Sequence, residues 1–172
     1  MTQMKVTGYK LLHAMREAIN TRDIASEQFK KSLMVFKGDE REDPKKLMDI
    51  FWEAERRISA IQTAQMRYNL DIVVNVLGTG MALAEVIKSV GAAGRREKMW
   101  RSCAKGTDRD RYGYREDTRN KDEEKAMRTV SVEDAIALAK DASKYAAALR
   151  EAIAVGNSTE IEVENLTPDL FE

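Results

Sequence analysis

Basic and aromatic residues crowd one stretch of this 172-residue chain. From Arg95 to Arg128 the cations are Arg95, Arg96, Lys98, Arg101, Lys105, Arg109, Arg111, Arg115, Arg119, Lys121, Lys125 and Arg128, with Trp100, Tyr112 and Tyr114 among them. A guanidinium grips phosphate through a planar two-pronged fork, and an aromatic ring offers a flat face on which a base can stack. The mixture suits an anionic, nucleotide-like small molecule. The residues expected to touch it are Arg95, Arg96, Trp100, Arg101, Arg109, Arg111, Tyr112, Tyr114 and Arg115. Glu97, Asp108, Asp110, Glu116, Asp117, Asp122, Glu123 and Glu124 offset much of the positive charge, which favours a compact phosphate over a long polyanion. A solvated loop, or one that bridges neighbouring subunits, has the same composition, so both readings stay open.

Other chemistry finds little support. His13 is the one histidine and Cys103 the one cysteine. With no HExxH pair and no second histidine or cysteine, a tetrahedral zinc site from one chain is not expected, and a lone cysteine forms no intrachain disulfide. No spacing brings His13 to Ser102 or Cys103 as a nucleophile–base pair. Gly78-Thr79-Gly80 precedes a helical pattern, but it lacks the third glycine of a dinucleotide fingerprint and the lysine of a phosphate loop. It reads as a strand-to-helix turn. Glu17, Glu53 and Glu55 stand near Arg16, Arg56 and Arg57 at helical spacing, as on solvated ion-pair faces. No residue is assigned a catalytic role, no cofactor is implied, and an enzyme is not expected.

Long helices must position the basic stretch. Leu47, Phe51, Ala54, Ile58, Ile61, Gln65, Tyr68 and Ile72 follow a seven-residue rhythm, with steps alternating between four and three. Leu11, Met15, Ala18, Arg22, Ala25, Phe29, Leu33 and Phe36 form an N-terminal seam, and Val132, Ala135, Ala139, Ala142, Ala146, Leu149 and Ile153 a C-terminal one. Such spacing keeps one stripe of a helix against a partner along its length. The first helix is expected from Thr7 or Gly8 to about Phe36 and the second from about Lys45 to Leu70, with Pro44 in its first turn. The short polar link predicts an antiparallel hairpin with arms of roughly 40 Å.

Beyond Asp71 the pattern changes. Ile72 to Leu77 is rich in β-branched residues and predicts a short strand, followed by a third helix from about Ala82 that weakens at Gly91 and Gly94 near Arg95, with Met99, Trp100 and Cys103 pointing to its resumption. Residues 104–130 read as the Arg/Tyr-rich loop, and 131–155 as the last helix, capped by Ser131 and Asp134 and stopped at Gly156-Asn157. Thr159 to Val163 alternates like a strand and is the expected partner of Ile72 to Leu77. Trp52 and Trp100 are expected as core or interface anchors.

The organisation is thus one helical domain over 1–172, with a hairpin at 7–70, a strand and third helix at 71–103, and a short strand and tail at 156–172. The fold class is mainly α: a long antiparallel helical hairpin plus further helices, with a small two-stranded β element. Charged residues make up 34% of the chain, and 29 basic residues balance 29 acidic ones. Zero net charge disfavours nucleic acid as a partner. The uncharged run Ile72 to Ala84 is too short for a membrane span, and Met1 to Lys10 lacks the apolar core of a signal peptide. A cytoplasmic location without membrane association is expected.

Gly80-Met81-Ala82-Leu83-Ala84-Glu85-Val86-Ile87, and Ala148-Leu149-Arg150-Glu151-Ala152-Ile153 followed by Asn157-Ser158-Thr159-Glu160-Ile161, resemble the bacterial septicolysin family in the order of their parts. The likeness runs from about Lys45 to Val163. Ser158 stands where that family has an aromatic residue, and the Arg/Tyr loop is longer. The resemblance implies a helical, oligomer-forming fold and transfers no catalytic residue. The expected function is a non-enzymatic homo-oligomer that binds, and could sequester, an anionic nucleotide-like small molecule. A purely structural scaffold oligomer is the first alternative, and single-stranded nucleic-acid binding the second.

Overall fold

The computed structural model describes residues 3–34, 36–38, 42–105, 129–164 and 166–171. Its elements run β1 (Gln3–Thr7), α1 (Gly8–Ser32), α2 (Pro44–Asp71), β2 (Val73–Val76), β3 (Thr79–Ala82), α3 (Leu83–Lys105), α4 (Val132–Ser158), β4 (Glu160–Glu164) and a 3-10 turn (Pro168–Phe171). The chain divides into two compact units: Met1–Val73 with Ala82–Ala84 and Ala154–Glu172, and Val74–Met81 with Glu85–Ile153.

In the first unit α1 and α2 form the antiparallel hairpin. Thr7 caps α1 by accepting from the Lys10 N–H at 3.2 Å, and Asp43 caps α2 by accepting from the Lys45 N–H at 2.9 Å, with Pro44 in the first turn. These caps satisfy amide donors that the helices leave free. The α2 seam is as expected: Leu47, Ala54, Ile58, Ile61, Tyr68 and Ile72 are buried. Arg22, a polar member of the α1 seam, reaches Asp23 at 2.7 Å and Glu55 of α2 at 3.5 Å. The α1 seam ends early. The helix stops at Ser32, and Leu33 and Phe36, expected within it, lie beyond it and are exposed.

The strand pairing corrects the sequence expectation. β4 pairs antiparallel with β1, with Val6 opposite Ile161, Met4 opposite Val163 and Lys5 opposite Glu162. Val6 and Val163 fall on one buried face, as the period of two requires. Ile72 to Leu77 does not meet the C-terminal strand; β2 pairs instead with β3. The two-residue turn Leu77-Gly78 has φ of 51° and 89°, and Asn75 Oδ1 accepts from the Gly78 N–H at 2.8 Å. Positive φ at both turn residues matches the right-handed twist of a tight hairpin. Gly78-Thr79-Gly80 is therefore part of a β-hairpin rather than a strand-to-helix turn.

Tyr68 ties the first unit together. Its ring is fully buried, and its hydroxyl lies 2.6 Å from Gly156 O and 2.5 Å from Thr159 O. Burial pushes the phenol above its ordinary range, and the neighbouring Gly8 N–H offsets this by a smaller amount. Gly156 and Asn157 are buried, and α4 continues through both to Ser158 rather than stopping there. Tertiary contacts outweigh the local preference of glycine.

In the second unit α3 is unbroken through Gly91 and Gly94, where weakening was expected, and it is helical through Met99, Trp100 and Cys103, where resumption was expected. On α4, Ala135, Ala139, Ala142, Ala146 and Leu149 are buried as the seam requires, while Val132 at its start is exposed. Ser131 Oγ accepts from the Asp134 N–H at 3.0 Å, the expected cap. Trp52, in the first unit, is 59% exposed and is not a core residue of the chain.

Candidate functional site

The alanine seam of α4 has a flank that is not apolar. Along it stand Ile136, Lys140, Ser143, Lys144 and Ala147, at spacings i, i+4, i+7, i+8 and i+11. The last turns of α3 present Arg101, Ala104 and Lys105. Together with Ala139 these residues line a cavity of about 670 Å³ within the second unit. Ala104, Ala139 and Ala147 are too short to fill the space, and the long cationic side chains around them keep their charged ends in water.

Four of the described lining residues are cationic, and none is a carboxylate. Arg101 is oriented from its own helix: its Nη2 lies 2.8 Å, and its Nε 3.0 Å, from Oε1 of Glu97 one turn earlier. Glu97 is largely covered, with its side chain 17% exposed, so it anchors the guanidinium from outside the cavity lining. Lys105, Lys140 and Lys144 are exposed and act as mobile point charges. Ser143 adds a hydroxyl, and Ile136, 55% exposed, adds an apolar wall. Such a cleft can receive a molecule with a negative end and a flat or apolar body. Its volume lies in the range of small-molecule sites.

Of the residues singled out by sequence, Arg101 reaches the cleft. Arg95 and Arg96 are exposed on α3 upstream of it, and Trp100 is half-buried. Arg109, Arg111, Tyr112, Tyr114 and Arg115 lie outside the described residues, as does the rest of the expected loop from 106 to 128. Ala104 and Lys105, expected in the loop, are helical. Sequence reasoning missed Lys140, Ser143 and Lys144. Their signal was the basic and apolar flank beside the alanine seam, spaced with Ile136 along one side of the helix.

The remaining chemistry is sparse. His13 is a surface residue, with Nδ1 3.4 Å from Glu17 Oε2. Cys103 is exposed. Among the described residues no group of three or more metal-ligating side chains converges, and no helix is long and apolar enough to cross a membrane. A second cavity, in the first unit beside Thr21, Glu53 and Arg57, holds about 170 Å³, too little for a nucleotide-sized molecule.

No family model matches the chain, and no curated protein matches it. Among solved structures it is similar to the crystal structure of a functionally unknown conserved protein from Corynebacterium diphtheriae. The two are 20% identical, with 92% of this chain and 99% of that chain covered and a TM-score of 0.64. At this identity the likeness establishes a shared fold.

Proposed function

We propose that this chain is a non-enzymatic homo-oligomer that binds, and by binding sequesters, an anionic nucleotide-like small molecule. The observation that carries this reading is the α3–α4 cleft, where Arg101, Lys105, Lys140 and Lys144 surround an alanine floor without a carboxylate among the described lining residues. The oriented Arg101 suits phosphate, and Ile136 suits the face of a base or sugar. A compact cleft fits one nucleotide unit better than a polyanion, in keeping with the zero net charge. The septicolysin-like order of parts, and a cytoplasmic setting, belong to the same proposal.

The test is calorimetry and thermal shift of the whole chain against mononucleotides, dinucleotides and cyclic nucleotides, since a ligand bound only by the native state raises its melting point. Lys144→Ala should remove one charge-assisted contact, worth about 1.5–3 kcal/mol, or roughly tenfold to hundredfold in affinity. Stoichiometric binding with the ligand recovered intact supports sequestration. Absence of binding to every nucleotide, or equal affinity for the parent and Lys144→Ala, refutes this site. Affinity for long oligonucleotides that falls steeply with salt would instead favour single-stranded nucleic acid.

A further inference from the structure

Helix α2 carries a second seam. On the side away from α1, Trp52, Arg56, Ser59, Thr63, Met66 and Leu70 repeat at steps of four, three, four, three and four. All six are exposed, Trp52 at 59%, Met66 at 66% and Leu70 at 64%. Between Arg57 and Arg67 the helix has no charged residue, although Ser59, Ala60, Gln62, Thr63 and Met66 face solvent in a chain that is 34% charged. Ser59, Gln62 and Thr63 are polar but uncharged, and the apolar Trp52, Met66 and Leu70 recur among them at the seven-residue spacing that sustained contact with another helix demands.

The stripe is complementary to itself. If a second α2 is laid antiparallel across it at the level of Ile61, Trp52 of one copy falls opposite Leu70 of the other. In the same register Arg56 falls opposite Met66, and Ser59 opposite Thr63. The small Ser59 and Thr63 at the centre allow the two helices to approach closely. Glu53 and Arg67 lie along one edge of the stripe, both exposed; within the chain Glu53 pairs with Arg56 and Arg67 Nη1 donates to Glu164 O at 3.2 Å, contacts that leave each charge open to a second partner. Antiparallel pairing sets Glu53 of each copy beside Arg67 of the other, so opposite charges meet twice.

We propose that two copies of this chain pair through this stripe, in a two-fold antiparallel α2–α2 contact. The proposal rests on the homo-oligomer part of the preceding reading and names its surface. A two-fold contact uses the same patch on both subunits, which the register above satisfies. From Trp52 to Leu70 the strip is about 27 Å long. One helix strip of that length covers less than the roughly 800 Å² per partner typical of tight complexes, so the dimer should dissociate on dilution.

The experiment is sedimentation equilibrium of the full chain from micromolar concentration upward, on the parent and three variants. Circular dichroism serves as the folding control, since all the altered side chains are exposed. The parent should approach twice the 19.5 kDa monomer mass. Thr63→Glu, which places two negative charges near the two-fold axis, should remain monomeric. Glu53→Arg sets like charges opposite each other and should weaken the dimer about tenfold or more, and adding Arg67→Glu should restore it. A parent that is monomeric throughout overturns both this contact and the homo-oligomer reading. A parent oligomer whose mass and affinity are unchanged by Thr63→Glu and Glu53→Arg overturns the α2 contact and leaves the oligomer reading standing.

Discussion

Gly8→Ala should destabilise the protein, although it replaces a poor helix former with the best one. Gly8 opens α1 where β1, α2 and the end of α4 converge. A Cβ there would lie 2.5 Å from Asn157 Oδ1, 2.9 Å from Tyr68 Cε1 and 3.0 Å from Asn157 Cα. Tyr68 and Asn157 are buried, so neither can swing away. The Asn157 Cα belongs to the last turn of α4, whose Gly156 carbonyl accepts from the Thr159 N–H at 3.2 Å. Relieving the overlap must move backbone, at about 1–3 kcal/mol, and a displaced Tyr68 hydroxyl forfeits about 1 kcal/mol more. Helix propensity returns at most about 1 kcal/mol. A net loss near 2 kcal/mol corresponds to a melting point about 4–8 °C lower for a chain of this length. Gly94 supplies the contrast. It lies inside α3 with open space where its Cβ would be, so Gly94→Ala should gain about 0.5–1 kcal/mol. Thermal and urea unfolding followed by far-ultraviolet circular dichroism measures both. A Gly8→Ala protein as stable as the parent, or the same sign of shift at both sites, would refute the packing argument.

Other sites in the first unit give independent expectations. Ile58→Asp places an unpaired carboxylate in a buried position of the α2 seam and should cost on the order of 3 kcal/mol or more, measured by urea unfolding. Tyr68→Phe removes the hydroxyl held against Gly156 O and Thr159 O, and should cost about 1–3 kcal/mol at neutral pH. Because burial raises the Tyr68 pKa, its neutral form stabilises the fold fully below the ordinary value near 10. That contribution is lost as pH rises through the folded-state value. The parent should therefore lose its advantage over Tyr68→Phe in alkaline unfolding curves; a pH-independent gap would contradict this.

The helical frame was legible because its signal is periodic and long. Leu47, Ile58, Ile61 and Tyr68 are buried as their spacing demands, and Asp43 with Pro44 marks the start of α2. What failed was decided at a distance. Ile72 to Leu77 is a sound strand by composition, but composition does not choose a partner. The partner of β4 is β1, whose alternating Met4 and Val6 are too few to stand out. Leu77-Gly78 lacks the usual Asn-Gly signature, so the hairpin turn was hidden by a leucine at positive φ. Gly156 stays helical because its carbonyl meets the Tyr68 hydroxyl, a contact 88 residues away in the chain. The cleft was half visible: arginine density pointed to the end of α3, while Lys140 and Lys144 join Arg101 only after α3 and α4 are brought together.

The cleft also carries a cost to the ligand-free protein. Lys140 and Lys144 stand four residues apart on α4, where like charges face each other on a helix and destabilise it by about 0.2–0.5 kcal/mol. Arg101 and Lys105 add to the repulsion from across the cavity. A protein that had no anion to receive would gain by filling this space with apolar side chains. Lys140→Ala should therefore raise the melting point of the ligand-free protein by roughly 1–2 °C at low salt, from relieved repulsion and better helix propensity. The repulsive part of that gain should disappear at high salt, where screening removes it in the parent as well. The same substitution should weaken nucleotide binding about tenfold or more. A variant that gains stability while losing affinity would mark Lys140 as a residue serving the ligand rather than the fold. Lower ligand-free stability at every salt concentration would mean that Lys140 instead makes a stabilising contact, and the electrostatic account of the cleft would fail.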